Sequence, residues 1–204
     1  MRESYFSLLC LGDSYTVGEA VKLYESFPYR LVQNLRNNGL HFYTPEIVAA
    51  TGFTSDELLE LIENYSLNES YDFVTLLVGV NNQYRGLALE KFESEFEQLL
   101  NKSISLVNSK ADHVILISIP DWGVTPFAKN WDQEKISLQI NEFNAVIQKL
   151  AYQYKTSYLN ITDGSRQALT DETLVASDGL HPSGKEYEKW ASGISAIIEG
   201  LIKK

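Results

Sequence analysis

The hydrophobic positions of the chain alternate between two patterns, short continuous runs and longer segments with helical spacing. The runs at 73–78 and 113–119 lack clean alternation, which is typical of strands covered on both faces of a parallel sheet. In all, the sequence predicts five strands, at residues 5–11, within 41–50, at 73–78, at 113–119 and near 156–160. Pro45 interrupts the second run, and proline lacks the N–H that a central strand donates. We therefore expect that strand at an edge of the sheet.

Between the runs, apolar residues recur every three or four positions, as on one face of a helix. Ser26 and Pro28 mark one helix start, and Thr54-x-x-Glu57 resembles a capping box at another. Further helices are predicted at about 89–107, at about 131–154 and near the end of the chain. Strand and helix alternate throughout, which predicts an α/β protein built as a three-layer α/β/α sandwich. With no repeat or linker, residues 1–204 are expected to form one domain.

The composition limits the classes of partner. Of 204 residues, 27 are acidic and 17 basic, giving a formal net charge of −10, which argues against a nucleic-acid partner. No apolar run reaches the roughly 18 residues of a membrane span, and the first strand begins without a separate leader, so a cytoplasmic location is expected. The amino-acid sequence gives no indication of the oligomeric state. The single cysteine, Cys10, lies in an apolar run and is expected in the core.

Ser14 is the first candidate for chemistry. It follows the first predicted strand in the sequence Gly12-Asp13-Ser14, at the position where open α/β sheets bind ligands. A serine in such a place can also be an ordinary turn residue, and Asp13 beside it is expected to have a structural role. A second stretch favours catalysis, because Asp178 stands three residues before His181, one of only three histidines.

These three residue types make up a nucleophilic site. A serine hydroxyl becomes a nucleophile when a neutral imidazole accepts its proton, and an acid orients that imidazole. Asp178 and His181 are close enough in sequence to lie side by side, although Asp178 could instead cap the last helix. Asp163 and Asp171 are the alternative acids.

An acyl-transfer site also needs donors for an oxyanion, and two residues qualify. Gly52 follows the second strand, and a glycine allows its backbone N–H to approach a ligand closely. Asn81 follows the third strand, and its side-chain amide is a neutral donor. Each has a simpler interpretation, Gly52 as a helix-entry turn and Asn81 as a cap of the turn at 79–86. Ser14, Gly52 and Asn81 all follow parallel strands, so we expect them at the same edge of the sheet.

In these blocks the sequence resembles the SGNH, or GDSL, hydrolases. The blocks are Gly12-Asp13-Ser14 with Thr16 and Gly18, then Gly52, then Gly79-x-Asn81, and finally Asp178-x-x-His181-Pro182. The resemblance implies a flavodoxin-like sheet, Ser14 as nucleophile, His181 as base and Asp178 as its orienting acid. It also implies an oxyanion hole made by the Ser14 and Gly52 N–H groups and the Asn81 side chain.

The chain departs from the family pattern at two positions. Tyr15 replaces the leucine of the GDSL name, and Asn82 stands where many members carry aspartate. The α/β-hydrolase elbow Gly-x-Ser-x-Gly is not matched, because Thr16 occupies the position of its second glycine.

A last stretch, residues 120–127, follows the fourth strand, and Trp122 and Phe127 in it are candidates for a substrate wall or for packing over the sheet end. Neither zinc-ligand spacing nor a nucleotide-binding glycine pattern is present, so no metal and no cofactor are expected. The sequence thus predicts a serine esterase that acts on short acyl or acetyl esters of a small molecule or glycan. The alternatives are a non-catalytic domain that holds a glycan or acyl group and a nucleotide-binding α/β protein.

Overall fold

A parallel five-stranded sheet forms the centre of the molecule. The computed structural model describes residues 5–203. The strands are β1 (Leu8–Gly12), β2 (Glu46–Ala49), β3 (Phe73–Leu77), β4 (Val114–Ile117) and β5 (Ser157–Leu159). Their order is β2-β1-β3-β4-β5, and every neighbouring pair is parallel. This is the flavodoxin-like order, so the predicted fold class and strand number are confirmed.

Helices cover both faces of the sheet. They are α1 (Ser14–Val17), α2 (Phe27–Asn37), α3 (Ser55–Asn64), α4 (Val80–Tyr84), α5 (Leu89–Leu106), α6 (Gln133–Tyr154), α7 (Thr162–Ser165) and α8 (Gly184–Ile202). The α2 and α8 helices pack together, while α5 packs against both α3 and α6. Side chains of β1, β3 and β4 are buried along their whole length, as expected of strands between two helical layers.

Several helix starts agree with the sequence signals. Ser26 occupies the N-cap position of α2, with Pro28 in its first turn. The Glu57 carboxylate accepts a hydrogen bond from the Thr54 N–H at 2.8 Å, as a capping box requires. The α6 helix begins at Gln133 rather than at 131, because the Asp132 carboxylate caps it by accepting from the Lys135 N–H at 3.0 Å.

The first strand differs from its prediction, since β1 spans Leu8–Gly12 rather than residues 5–11. Phe6 forms only an isolated bridge with Phe42, and its N–H donates to the His41 carbonyl at 2.8 Å. Pro45 has no N–H to continue the ladder, so regular pairing resumes only at Glu46. As predicted, β2 lies at an edge of the sheet.

The turn after β1 is built for close packing. A Cβ added to Gly12 would overlap the Leu77 carbonyl oxygen and the Thr16 side chain, so β1 and β3 approach here as only glycine permits. The turn leads directly into α1, whose first residue is Ser14. The serine is thereby fixed between the two central strands, at the switch point of the strand order.

Candidate active site

Ser14 and His181 lie within hydrogen-bond distance of each other. The His181 Nε2 is 3.0 Å from the Ser14 Oγ, and the His181 Nδ1 is 2.5 Å from the Asp178 Oδ2. Serine, imidazole and carboxylate therefore form a continuous chain of hydrogen bonds. Ser14 is almost completely buried, whereas about a third of the Asp178 side chain is exposed. The edge of the Tyr15 ring packs against the His181 ring at a centroid distance of 5.7 Å.

Both oxygens of the Asp178 carboxylate have partners. While Oδ2 faces the His181 ring, Oδ1 accepts from the backbone N–H groups of Leu180 and His181, each at 3.0 Å. Partial burial acts to raise the pKa of Asp178, but these hydrogen bonds together outweigh it and the pKa lies below its usual value. The carboxylate is thus held in its charged form beside the imidazole. It does not cap the last helix, because Ser183 is the N-cap of α8.

The other acids considered from the sequence have different partners. Asp171 accepts from Lys185 Nζ at 2.8 Å, and this bond holds the pKa of Asp171 at about 2. Asp163 accepts from the Asn160 side chain at 2.9 Å. Asp13 is the N-cap of α1 and accepts from the Tyr15 N–H at 3.0 Å, which is the structural role expected of it.

Three potential oxyanion donors line the same pocket as Ser14 and His181. The pocket is lined by the residues Ser14, Gly52 and Asn81, which carry two backbone N–H groups and one side-chain amide. Among residues 5–203, neither of the two backbone N–H groups has a hydrogen-bond acceptor. Gly52 has a φ of +85°, the left-handed conformation that favours glycine. Asn81 Nδ2 donates one hydrogen to the Phe53 carbonyl at 2.9 Å, which fixes the amide and leaves its second hydrogen for another acceptor.

A buried network ties the Gly52 loop to the Asn81 helix. Asn82 accepts from the Ser55 N–H at 3.0 Å, and its amide donates to the Ser55 Oγ at 2.7 Å. The Ser55 hydroxyl in turn donates to the Glu95 carboxylate at 2.5 Å. Asn82 is completely buried, and it joins the start of α3 to α4. It thereby holds the start of α3, three residues after Gly52, against the helix that carries Asn81.

The pocket beside Ser14 has a volume of about 230 Å³. Apart from Ser14, Gly52, Asn81 and His181, its lining consists of Tyr15, Thr51, Val80, Tyr84, Trp122, Phe127 and Leu180. Trp122 and Phe127, singled out from the sequence, thus both lie at the pocket, Trp122 buried and Phe127 partly exposed. Tyr84 was not singled out from the sequence, although its position three residues after Asn81 on a short helix is a usable signal.

Among residues 5–203, no group of three or more His, Cys, Asp or Glu side chains could hold a metal ion. In the same part of the chain, no helix combines the length and apolar character needed to cross a bilayer.

The sequence of the chain matches a known family. The sequence model of the GDSL-like lipase/acylhydrolase family matches residues 10–189, which include Ser14, Gly52, Asn81, Asp178 and His181. The chain belongs to this family. The resemblance noted in the sequence is therefore confirmed, and the expected class of enzyme, an ester hydrolase, is confirmed at the level of the family.

Individual relatives of this GDSL-family chain are more distant. It is 27% identical over 140 residues to a multidomain esterase of Ruminococcus flavefaciens, an alignment that covers 69% of the chain and 17% of that protein. The chain thus spans a small part of the length of this relative.

Three solved structures share the fold. The crystal structure of TesA has a TM-score of 0.75 at 20% identity, covering 96% of this chain and 99% of that one. A lipase/acylhydrolase from Enterococcus faecalis has a TM-score of 0.75 at 21% identity, with 96% of each chain covered. Axe2, an acetylxylan esterase from Geobacillus stearothermophilus, has a TM-score of 0.74 at 18% identity, covering 97% and 96%.

Proposed function

We propose that this protein is a serine esterase that cleaves carboxylic esters through an acyl-enzyme intermediate. The observation that carries the proposal is the 3.0 Å distance between the Ser14 Oγ and the His181 Nε2, with Asp178 on the other ring nitrogen. In this assignment Ser14 is the nucleophile, His181 the general base and Asp178 the acid that orients the ring.

The first half of the reaction acylates Ser14. The Ser14 Oγ attacks the ester carbonyl carbon while the His181 Nε2 accepts the hydroxyl proton. When the tetrahedral intermediate collapses, the bond to the alcohol oxygen breaks and the leaving alkoxide takes that proton from His181. Asp178 keeps Nδ1 protonated throughout and stabilises the positive charge of the imidazolium.

The second half returns the enzyme to its starting state. A water molecule loses a proton to the His181 Nε2 and attacks the acyl carbon, and the carboxylic acid leaves as Ser14 regains its proton. In both halves negative charge develops on the carbonyl oxygen. The Ser14 N–H, the Gly52 N–H and the Asn81 amide are assigned to stabilise this charge, which fixed donors do more effectively than water.

The acyl group is proposed to be short, acetyl above all. Pocket size supports this, because the space beside Ser14 is only about 230 Å³. One structural neighbour, Axe2, is itself an acetylxylan esterase.

A fluorophosphonate probe tests the proposal, because only an activated serine attacks its phosphorus. We expect wild-type protein to be labelled and to hydrolyse p-nitrophenyl acetate, and Ser14→Ala to lose both, with kcat lower by about 10⁴–10⁶-fold. Ser105→Ala removes an exposed hydroxyl on α5 and serves as the control with full labelling. Wild-type protein that is neither labelled nor active would favour the alternative, a domain that binds its ligand without turnover.

A further inference from the structure

Four aromatic side chains stand beside the pocket that holds Ser14. Trp122 lies at their centre, and the rings of Tyr84, Phe127 and Trp131 surround it at centroid distances of 5.5, 6.0 and 5.6 Å. All three contact Trp122 edge-on. We call Tyr84, Phe127 and Trp131 the aromatic rim. Tyr84 and Phe127 are part of the pocket lining. The Trp131 ring lies beside the Tyr84 ring, at a centroid distance of 5.7 Å.

The aromatic rim keeps much of its surface in solvent. Tyr84 is 47% exposed, Phe127 42% and Trp131 50%, whereas Trp122 beneath them is 3% exposed. Scattered apolar side chains on a surface need no explanation, but a contiguous patch of large ones usually marks a binding site. Here the patch adjoins the proposed catalytic serine, so it is positioned to contact the part of a substrate that extends out of the pocket.

Polar contacts fix Trp122, the ring on which the aromatic rim packs, and the turn that carries it. The Trp122 Nε1 donates to the Gln83 Oε1 at 2.7 Å. The buried Asp121 carboxylate accepts from the Gly123 N–H at 3.0 Å and from the Arg166 Nε at 2.9 Å, fixing the turn that follows β4. A rim fixed before the ligand arrives loses little conformational entropy on binding.

A further contact links the rim to the catalytic loop. The Phe127 N–H donates to the Gly179 carbonyl at 2.9 Å, and Gly179 lies between Asp178 and His181. The position of the rim relative to the proposed base is therefore set by the backbone.

Two polar side chains, Thr51 and Arg85, also lie near the pocket mouth. Thr51 lines the pocket, and its hydroxyl donates to the Glu19 carboxylate at 2.5 Å. Arg85 follows Tyr84 directly, donates to the Gly52 carbonyl at 2.6 Å and keeps 45% of its side chain exposed. A ligand at this mouth thus meets flat apolar faces together with hydrogen-bonding groups.

We propose that the aromatic rim binds the alcohol part of the substrate, and that this alcohol is a pyranose sugar carrying the ester on a hydroxyl. A pyranose ring has a flat face of C–H groups, which packs on aromatic rings, and hydroxyls at its edge, which suit the polar groups of the mouth. This inference rests on the proposed esterase function and names the alcohol for it. The bond that breaks joins the acyl carbon to the sugar oxygen, and that oxygen leaves with the proton held by His181.

A lipid fits the same surface less well. A long acyl or alkyl chain needs a long apolar channel, whereas the pocket beside Ser14 has a volume of only about 230 Å³. The formal net charge of −10 also opposes approach to an anionic membrane surface. A neutral sugar needs no long apolar channel and is not repelled by the negative charge of the protein.

The test compares two acetyl esters that differ only in the alcohol, an acetylated methyl xylopyranoside and ethyl acetate. For wild-type protein we expect the larger kcat/KM with the sugar ester. Trp131→Ala should raise KM for the sugar ester about five- to tenfold more than KM for ethyl acetate, with a smaller change in kcat. Tyr152→Ala removes an aromatic ring that is 88% exposed on α6, and we expect it to leave KM and kcat unchanged for both esters.

The remaining outcomes are distinguishable. Equal effects of Trp131→Ala on both esters would overturn the sugar assignment, as would a wild-type preference for octyl acetate that Trp131→Ala abolishes. If wild-type protein hydrolyses no ester, the proposed function fails by itself. Calorimetric titration of Ser14→Ala protein with the acetylated xylopyranoside then decides the inference about the aromatic rim. Weaker binding by the double variant Ser14→Ala/Trp131→Ala than by Ser14→Ala supports the inference. Absence of sugar binding by Ser14→Ala overturns it.

Discussion

The His181 Nε2 lies 3.0 Å from the Ser14 Oγ although the two residues are 167 positions apart in the chain. Two independent turns produce this contact. Gly12 allows β1 to end tightly against β3 so that Ser14 starts α1, and the backbone N–H groups of Leu180 and His181 fix the 178–181 turn on the Asp178 carboxylate. The relationship thus depends on both ends of the chain folding against the same edge of the sheet.

Replacing Asp178 by Asn should lower kcat for p-nitrophenyl acetate by about 10²–10⁴-fold. The amide cannot provide the negative charge that orients the imidazole and stabilises its protonated form. Asp171→Asn is the control, because Asp171 pairs with Lys185 and Thr173 instead, and full activity is expected there. The assignment of the acid is wrong if the two variants behave alike.

Replacing Asn81 by Ala should remove about 3 kcal/mol of transition-state stabilisation, or roughly 10²-fold in kcat, with little change in KM. The loss would come from the amide hydrogen that is not bound to the Phe53 carbonyl. Steady-state kinetics with p-nitrophenyl acetate measure it, and thermal unfolding checks that the fold is retained. Asn64→Ala, on the exposed face of α3, is the control. An unchanged kcat in Asn81→Ala would exclude this side chain from the oxyanion hole.

Much of the fold follows from local signals that the sequence displays. Pro45 places β2 at an edge, and Thr54 with Glu57 marks the start of α3, because each depends on the backbone chemistry of one or two residues. The juxtaposition of Ser14, Gly52 and Asn81 also follows, since the carboxyl ends of parallel strands lie at one edge of a sheet. These predictions need the order of the elements but no knowledge of side-chain packing.

Other features depend on contacts between distant elements and could not be read from one sequence. The role of Asn82 arises only when α3 brings Ser55 to it from 27 positions away and α5 brings Glu95 to Ser55, which is 40 positions from it along the chain. Tyr84 likewise reaches Trp122 and Trp131 only through the packing of α4 against the turn that follows β4. No spacing rule within a single element encodes such pairs.

The Asn82 network explains why this chain has an amide where many family members carry aspartate. The Ser55 hydroxyl already donates to Glu95, so an aspartate at 82 would place a second carboxylate on the same hydroxyl. Asn82→Asp is therefore expected to lower the free energy of unfolding by about 1–3 kcal/mol at pH 7, measured by urea denaturation. Combining it with Glu95→Gln should recover most of the loss. If the double variant is no more stable than the single one, repulsion between the two carboxylates is not the cause.

Asp13 gives a pH-dependent prediction of its own. Burial raises the pKa of its carboxyl to about 7, against the hydrogen bond from the Tyr15 N–H, which lowers it. Its Oδ2 has no hydrogen-bond partner among residues 5–203. Between the ordinary aspartate pKa of 3.8 and a pH of about 7, the folded state binds more protons at this site than the unfolded state. The contribution of Asp13 to stability therefore falls as pH rises through this range.

Asp13→Asn stays uncharged and should remove that dependence. Relative to wild type, the variant should gain on the order of 2–4 kcal/mol of unfolding free energy between pH 4 and pH 8, because each unit of pKa difference is worth about 1.4 kcal/mol. Urea denaturation of both proteins at several pH values measures the difference in unfolding free energy. Values below pH 5 are used only where both proteins are folded without urea, so that general acid unfolding does not enter the comparison. A difference that stays constant over this range would mean that Asp13 is ionised in the folded protein, with a partner for its Oδ2 that offsets the cost of burial.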